Sequence, residues 1–318
     1  MTSFLIIPLA FILGFALVRV ATCTVAATMR WVNQGKMDWL FGLLIVASWA
    51  GLVLFLLLQY SGRAHIPVDI EIGWQLFFGA AIMGVGALIN RGCFVGTVGY
   101  IGAGKFSYLL TFVGLALAML LLRIDALNPF GPVVVTGRTA IEDDIIKQGV
   151  LLGFAGLSLL SLWLIIVKRN MAMLALLTIG ITAALIYGTR PEWSYAAVLN
   201  SLLAGQGLSV GMTVEIAVIA LFAGAVFSSW LKNKFHPQFG TWKLAVANLS
   251  GGFLMGIGAA TVPGGNDVLL MWTAPGLTLY GAVAYLVMIA TIAVMLVAMP
   301  YATKAVTQSQ WFKKPTHE

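Results

Sequence analysis

Gly79–Gly96, GAAIMGVGALINRGCFVG, decides how this chain folds. The stretch is apolar enough to lie in lipid, yet it holds five glycines, an arginine and one of the chain's two cysteines. Glycine is the weakest helix former after proline, so a lipid-compatible segment that keeps so many has a turn or a close helix approach to make. The pattern returns once. GAAIMGVGALINRG (Gly79–Gly92) aligns without gaps to GGFLMGIGAATVPG (Gly251–Gly264), with six identities that include Met83/Met255, Gly84/Gly256, Gly86/Gly258 and Ala87/Ala259. Small residues at helical spacing recur in packed membrane helices, so the match gains its weight from where the copies fall.

The surrounding composition is that of an all-α integral membrane protein. Of 318 residues, 60% are hydrophobic and 9% charged, and mean hydropathy is +0.98. A soluble domain carries about 25% charged residues. The first apolar run starts at Phe4, exceeds a signal-peptide core and lacks a basic leader, so it reads as a span. At about 20 apolar residues per crossing, nine spans are expected, at 4–29, 38–60, 73–90, 106–123, 148–168, 171–188, 212–231, 242–262 and 276–300. Segments 93–104 and 266–274 are too short to cross and read as half-helices or re-entrant turns. The segment 191–210 reads as interfacial, with Trp193 and Tyr195 at headgroup level. The whole chain, 1–318, forms one polytopic domain, with repeat halves at about 1–123 and 212–300 joined through 124–211.

On this span count twelve Lys and Arg fall on one side and five on the other. The bias puts the C-terminus in the cytoplasm and the N-terminus outside a bacterial inner membrane. It also accounts for the net charge of +7 without a nucleic-acid partner. The first glycine copy then runs inward and the second outward, each followed by a short broken segment and a full span. That is the pattern of an inverted repeat, in which matching interrupted helices point to a binding site at the bilayer midplane.

The chemistry follows from the breaks. Non-helical backbone at membrane depth survives only where it is buried in protein or lines a polar cavity. A half-helix that starts there aims unpaired N–H groups and the positive end of its dipole at that cavity, which favours an anion. The candidate path residues are therefore Gly92 and Cys93 at the first break, and Gly264, Gly265, Asn266 and Asp267 at the second. Arg91 flanks the first break, and Arg19 interrupts the first span. Cys23 lies four residues beyond Arg19 and so on its helical face. Asp267 reads either as an exposed acid or as a proton carrier. Thiols here would serve as weak S–H donors to a soft anion. The TVGYIG at Thr97–Gly102 is no potassium filter, because Ile101 displaces the glycine and cations flank it. The histidines (His65, His236 and His317) are scattered, no nucleotide-binding loop is present, and no cofactor is implied.

The RGC-bearing glycine segment around Cys93, the Cys23-bearing first span and the repeated glycine segment resemble the YeeE/YedE-type sulfur-transport family. The resemblance implies uptake of thiosulfate, or of related sulfur or selenium oxyanions, without enzymatic turnover. It implies that Cys93 is the central thiol of an hourglass-shaped bundle and Cys23 the one toward the cytoplasm. The family's third thiol belongs in the second glycine segment, where this chain has Asn266. An alternative reading is a membrane sulfur relay, whose cysteines pass persulfide sulfur to a small cytoplasmic sulfur-carrier protein.

Overall fold

The computed structural model describes residues 2–20, 22–61, 64–123, 134–136, 144–203 and 212–298. The basic C-terminal tail and most of the 124–143 connection lie outside them. The described chain is helical, with two isolated β-bridges, Ile70–Val135 and Lys105–Gln238. Its helices are α1 (Ile6–Leu17), α2 (Thr24–Gln34), α3 (Asp38–Ser61), α4 (Trp74–Ile89), α5 (Phe94–Gly102), α6 (Leu109–Leu122), α7 (Asp144–Lys168), α8 (Met171–Thr189), α9 (Tyr195–Leu203), α10 (Met212–Leu231), α11 (Trp242–Thr261), α12 (Asn266–Val268) and α13 (Leu279–Ala298). A π-helical turn, Leu269–Thr273, continues α12.

Among the described residues seven helical segments are long and apolar enough to cross a membrane, not nine. One of the seven, Trp74–Gly102, takes in both α4 and α5. The two shortfalls are Ile6–Leu17 and Phe106–Leu122. The expected span 4–29 is two helices: α1 stops at Leu17 and α2 starts at Thr24. Arg19 and Cys23 therefore do not share a helical face. Of the segment 191–210, residues 204–210 lie outside the described residues, and 191–203 is not interfacial in the way its aromatics led us to expect. Trp193 and Tyr195 are buried, Trp193 edge-on to Tyr187 and Tyr195 against Phe94 and Phe112.

Glycines set the packing at the centre. A Cβ on Gly86 would stand 2.7 Å from the Gly251 carbonyl oxygen and the Met255 nitrogen. One on Gly258 would stand 2.6 Å from the Gly79 carbonyl oxygen and 2.7 Å from Met83 Cβ. The two backbones thus touch and run antiparallel, an approach only glycine permits. The alignment that sets Gly79 on Gly251 sets Gly86 on Gly258, so each contact is the image of the other. The neighbouring pair behaves alike: Gly84 faces Met288 and Thr291 on α13, and Gly256 faces Leu115 and Ala118 on α6.

The two helices also end alike. Asn90 N–H bonds the Gly86 carbonyl, Gly92 N–H bonds Ala87, and Thr97 N–H bonds Cys93. At the aligned positions Val262 bonds Gly258, Gly264 bonds Ala259, and Leu269 bonds Gly265. The tight turn needs left-handed backbone, taken by Arg91 in the first copy (φ 59°) and by Gly264 in the second (φ 109°).

Candidate functional site

Three interruptions meet at one point. Cys23 caps the start of α2, Cys93 the start of α5 and Gly265 the start of α12, each in extended backbone. The two sulfurs are 3.6 Å apart, and both cysteines are free thiols. The N–H groups of Thr24 and Gly96 face the Cys93 sulfur. Phe94 N–H donates to Asn266 Oδ1 at 3.0 Å, and Asn266 Nδ2 donates to Thr24 Oγ1 at 3.4 Å. Thr24 Oγ1 in turn shares a hydrogen with the Tyr285 hydroxyl at 2.8 Å. Cys93, Phe94, Thr24 and Asn266 are all fully buried.

Each helix start leaves backbone N–H groups without partners inside its own helix and carries the positive end of a dipole. Three starts gathered on two thiols and an amide make a small, electropositive neck lined with hydrogen-bond donors.

Asn90 holds the first break in shape. Its Nδ2 donates to the Gly92 carbonyl at 2.7 Å and to Thr97 Oγ1 at 3.0 Å, while its Oδ1 accepts from Thr111 Oγ1 at 2.8 Å. The side chain is fully buried, so it ties the turn to α5 and α6 where water cannot substitute. Asn90→Leu should leave three buried groups unpaired. We expect a loss of roughly 2–3 kcal/mol, read as a lower melting temperature in detergent; an unchanged melting temperature would remove Asn90 from this role.

Two cavities flank the neck. A large one of about 630 Å³ is lined by Glu71, Gln75, Arg123, Asn200, Gly264 and Gly265, among others. A small one of about 40 Å³ is lined by Val20, Cys23, Arg91, Gly96, Gly99 and Tyr100, among others. Trp74 and Gln75, at the start of α4, line the first, and Arg91, just past its end, lines the second. Helix α4 therefore runs from one cavity to the other, and the neck residues Cys93, Phe94 and Asn266 line neither.

The site residues expected from sequence divide accordingly. Cys23, Cys93, Gly92, Gly265 and Asn266 come together at the neck, with Gly264 beside them. Arg91 is exposed at the small cavity, and its carbonyl accepts from the Tyr100 hydroxyl at 3.3 Å. Arg19 lines neither cavity. Its Nε donates to Ser228 Oγ at 2.9 Å and its guanidinium lies over the Phe15 ring at 4.4 Å. Asp267 is no surface acid but is buried, taking a 3.5 Å hydrogen bond from the Tyr187 hydroxyl. Sequence reasoning passed over Asn90, Thr24 and Tyr285. A polar side chain directly before the RGC turn was a readable signal for the first; nothing local marks Tyr285.

Fold and site together define a multi-pass membrane protein closed around a thiol-bearing neck. Residues 19–175 match the family model described as sulphur transport. That stretch contains Cys23, Arg91, Gly92 and Cys93, and its match to the sulphur-transport family agrees with the resemblance to YeeE/YedE-type proteins. The second glycine segment, with Asn266, lies beyond the matched residues. A search of curated proteins gives no match.

Proposed function

We propose that this protein takes up a small sulfur-containing anion, thiosulfate or a related sulfur or selenium oxyanion, through the neck between its two cavities. The observation that carries the reading is the convergence of three helix starts on Cys23, Cys93 and Asn266. Backbone N–H groups and dipoles attract the charge, and the thiols and amide replace part of the anion's hydration by donating hydrogen bonds. No covalent bond to the anion is needed, so the protein acts as a transporter and not as an enzyme. The Lys and Arg bias sets the small, Arg91-bearing cavity toward the cytoplasm and the large cavity outside. The N-terminus is then external, the C-terminus cytoplasmic, and the membrane the bacterial inner one.

The reciprocal glycine contacts and the matched hydrogen bonds at the two breaks support an inverted repeat. In that arrangement α1 and α6, though short, complete nine crossings. Asn266 supplies an amide where the family's third thiol is expected, so the soft contact at the outer step is lost and oxyanions with harder oxygens gain. The sulfur-relay reading requires an accessible, reactive thiolate, and selective alkylation of Cys23 at neutral pH would favour it.

The test is uptake of sulfur-labelled thiosulfate into proteoliposomes, with sulfate and selenite as competitors. We expect saturable uptake that at least one competitor suppresses. Vesicles carrying folded protein that move none of the three would sink the proposal.

A further inference from the structure

Beside the neck lies a buried acid that anion passage alone does not use. Asp267 follows Asn266 directly, and the residue is 6% exposed. A Cβ on Gly265, which lines the large cavity, would stand 2.5 Å from Asp267 Oδ1. The Tyr187 hydroxyl donates to the other oxygen, Oδ2. The buried Tyr195 hydroxyl faces the same carboxyl from beyond hydrogen-bond geometry. Tyr187 is held between Trp272, stacked at 5.8 Å, and Trp193, edge-on at 5.6 Å.

Among the described residues Arg30–Asp38 and Arg190–Glu192 are ion-paired, and neither pair reaches Asp267. Helices α3, α5, α8 and α13 pack on the segment, α9 brings Tyr195 and α2 brings Thr24. Apart from tyrosines these helices carry Asp38 at the far end of α3 and Arg30 on α2, which pair with each other, and the turn that holds Trp193 adds the Arg190–Glu192 pair. The loop strapped over the π turn adds His65, which is exposed and receives the Trp272 indole N–H on its carbonyl. It also adds Asp69, whose carboxylate accepts the Leu279 and Tyr280 N–H groups. Glu71 and Arg123 line the large cavity.

An anion entering the neck beside an ionised, water-excluded carboxylate would meet strong repulsion, which a proton on the carboxylate removes. We propose that Asp267 binds one proton from the large-cavity side with each anion and releases it after the anion has passed, which makes the protein an anion–proton symporter. One O–H bond forms on a carboxylate oxygen and later breaks, while the Tyr187 hydroxyl holds the group in place. The inference rests on the anion-uptake reading.

The test uses proteoliposomes of the full chain with a pH dye in the lumen and the membrane potential clamped at zero. Adding thiosulfate to wild-type vesicles should acidify the lumen. An inward gradient of one pH unit should raise accumulation about tenfold for one proton per anion. In Asp267→Asn, remaining flux should bring no acidification and ignore the gradient. If that variant does not fold, Tyr187→Phe, which keeps the ring packing, should lower the protons carried per anion. Wild-type uptake that neither acidifies the lumen nor responds to the gradient would overturn the coupling while leaving anion uptake intact, as would a sodium gradient that replaces the pH gradient. Folded wild type that moves no sulfur anion under any gradient would instead remove the uptake reading itself.

Discussion

Cys93→Ala should cut thiosulfate uptake at least tenfold while leaving the protein folded. The sulfur sits at the start of α5, 3.6 Å from Cys23, with the Thr24 and Gly96 N–H groups turned toward it. Hydrogen bonds to charged groups contribute about 1.5–3 kcal/mol, which corresponds to roughly a 10- to 150-fold change in rate if the bond forms at the barrier. Alanine removes one sulfur atom from a fully buried place, so the fold should lose only about 1 kcal/mol. Uptake in proteoliposomes and melting in detergent separate the two effects. Cys93→Ser keeps a donor and should retain part of the flux. If Cys93→Ala transports at the wild-type rate, the neck is not the path.

Asn266→Asp should be at least as damaging, by a different route. The substitution keeps the shape of the side chain and the acceptor for Phe94 N–H, but it loses the donor to Thr24 and places a negative charge in the neck. Two unit charges 4 Å apart repel by about 4 kcal/mol at an effective dielectric constant near 20. A hundredfold loss of uptake is therefore expected. Asn266→Cys, by contrast, should transport and should shift the competitor order toward thiosulfate over sulfate. Uptake by Asn266→Asp equal to wild type would show that the anion does not pass this side chain.

What could be read from the sequence, and what could not, has a physical pattern. The breaks at Gly92–Cys93 and Gly264–Gly265 were legible because glycine clusters are costly in a helix and so mark a purpose. The break between Leu17 and Thr24 was not. VRVATC keeps the hydropathy of a span and contains no glycine or proline, and the turn is held instead by a distant partner, Ser228 on α10. Trp193 and Tyr195 misled for a related reason. Their amphipathic rings suit a headgroup layer, yet here the interior supplies other aromatics to pack on. The burial of Asp267, and the link from Thr24 to a tyrosine 261 residues away, are tertiary facts with no local trace.

The backbone contact between α4 and α11 also limits how a path can open. Two helices that touch main chain to main chain at two mirrored places cannot tilt or slide past each other without breaking both contacts at once. They form a stator. On the uptake reading, opening would then fall to the segments that begin at Cys23, Cys93 and Gly265. On that reading solutes would pass by the turning of a few latches and not by the swinging of halves of the protein, and the girth of three helix ends would set the ceiling on cargo size.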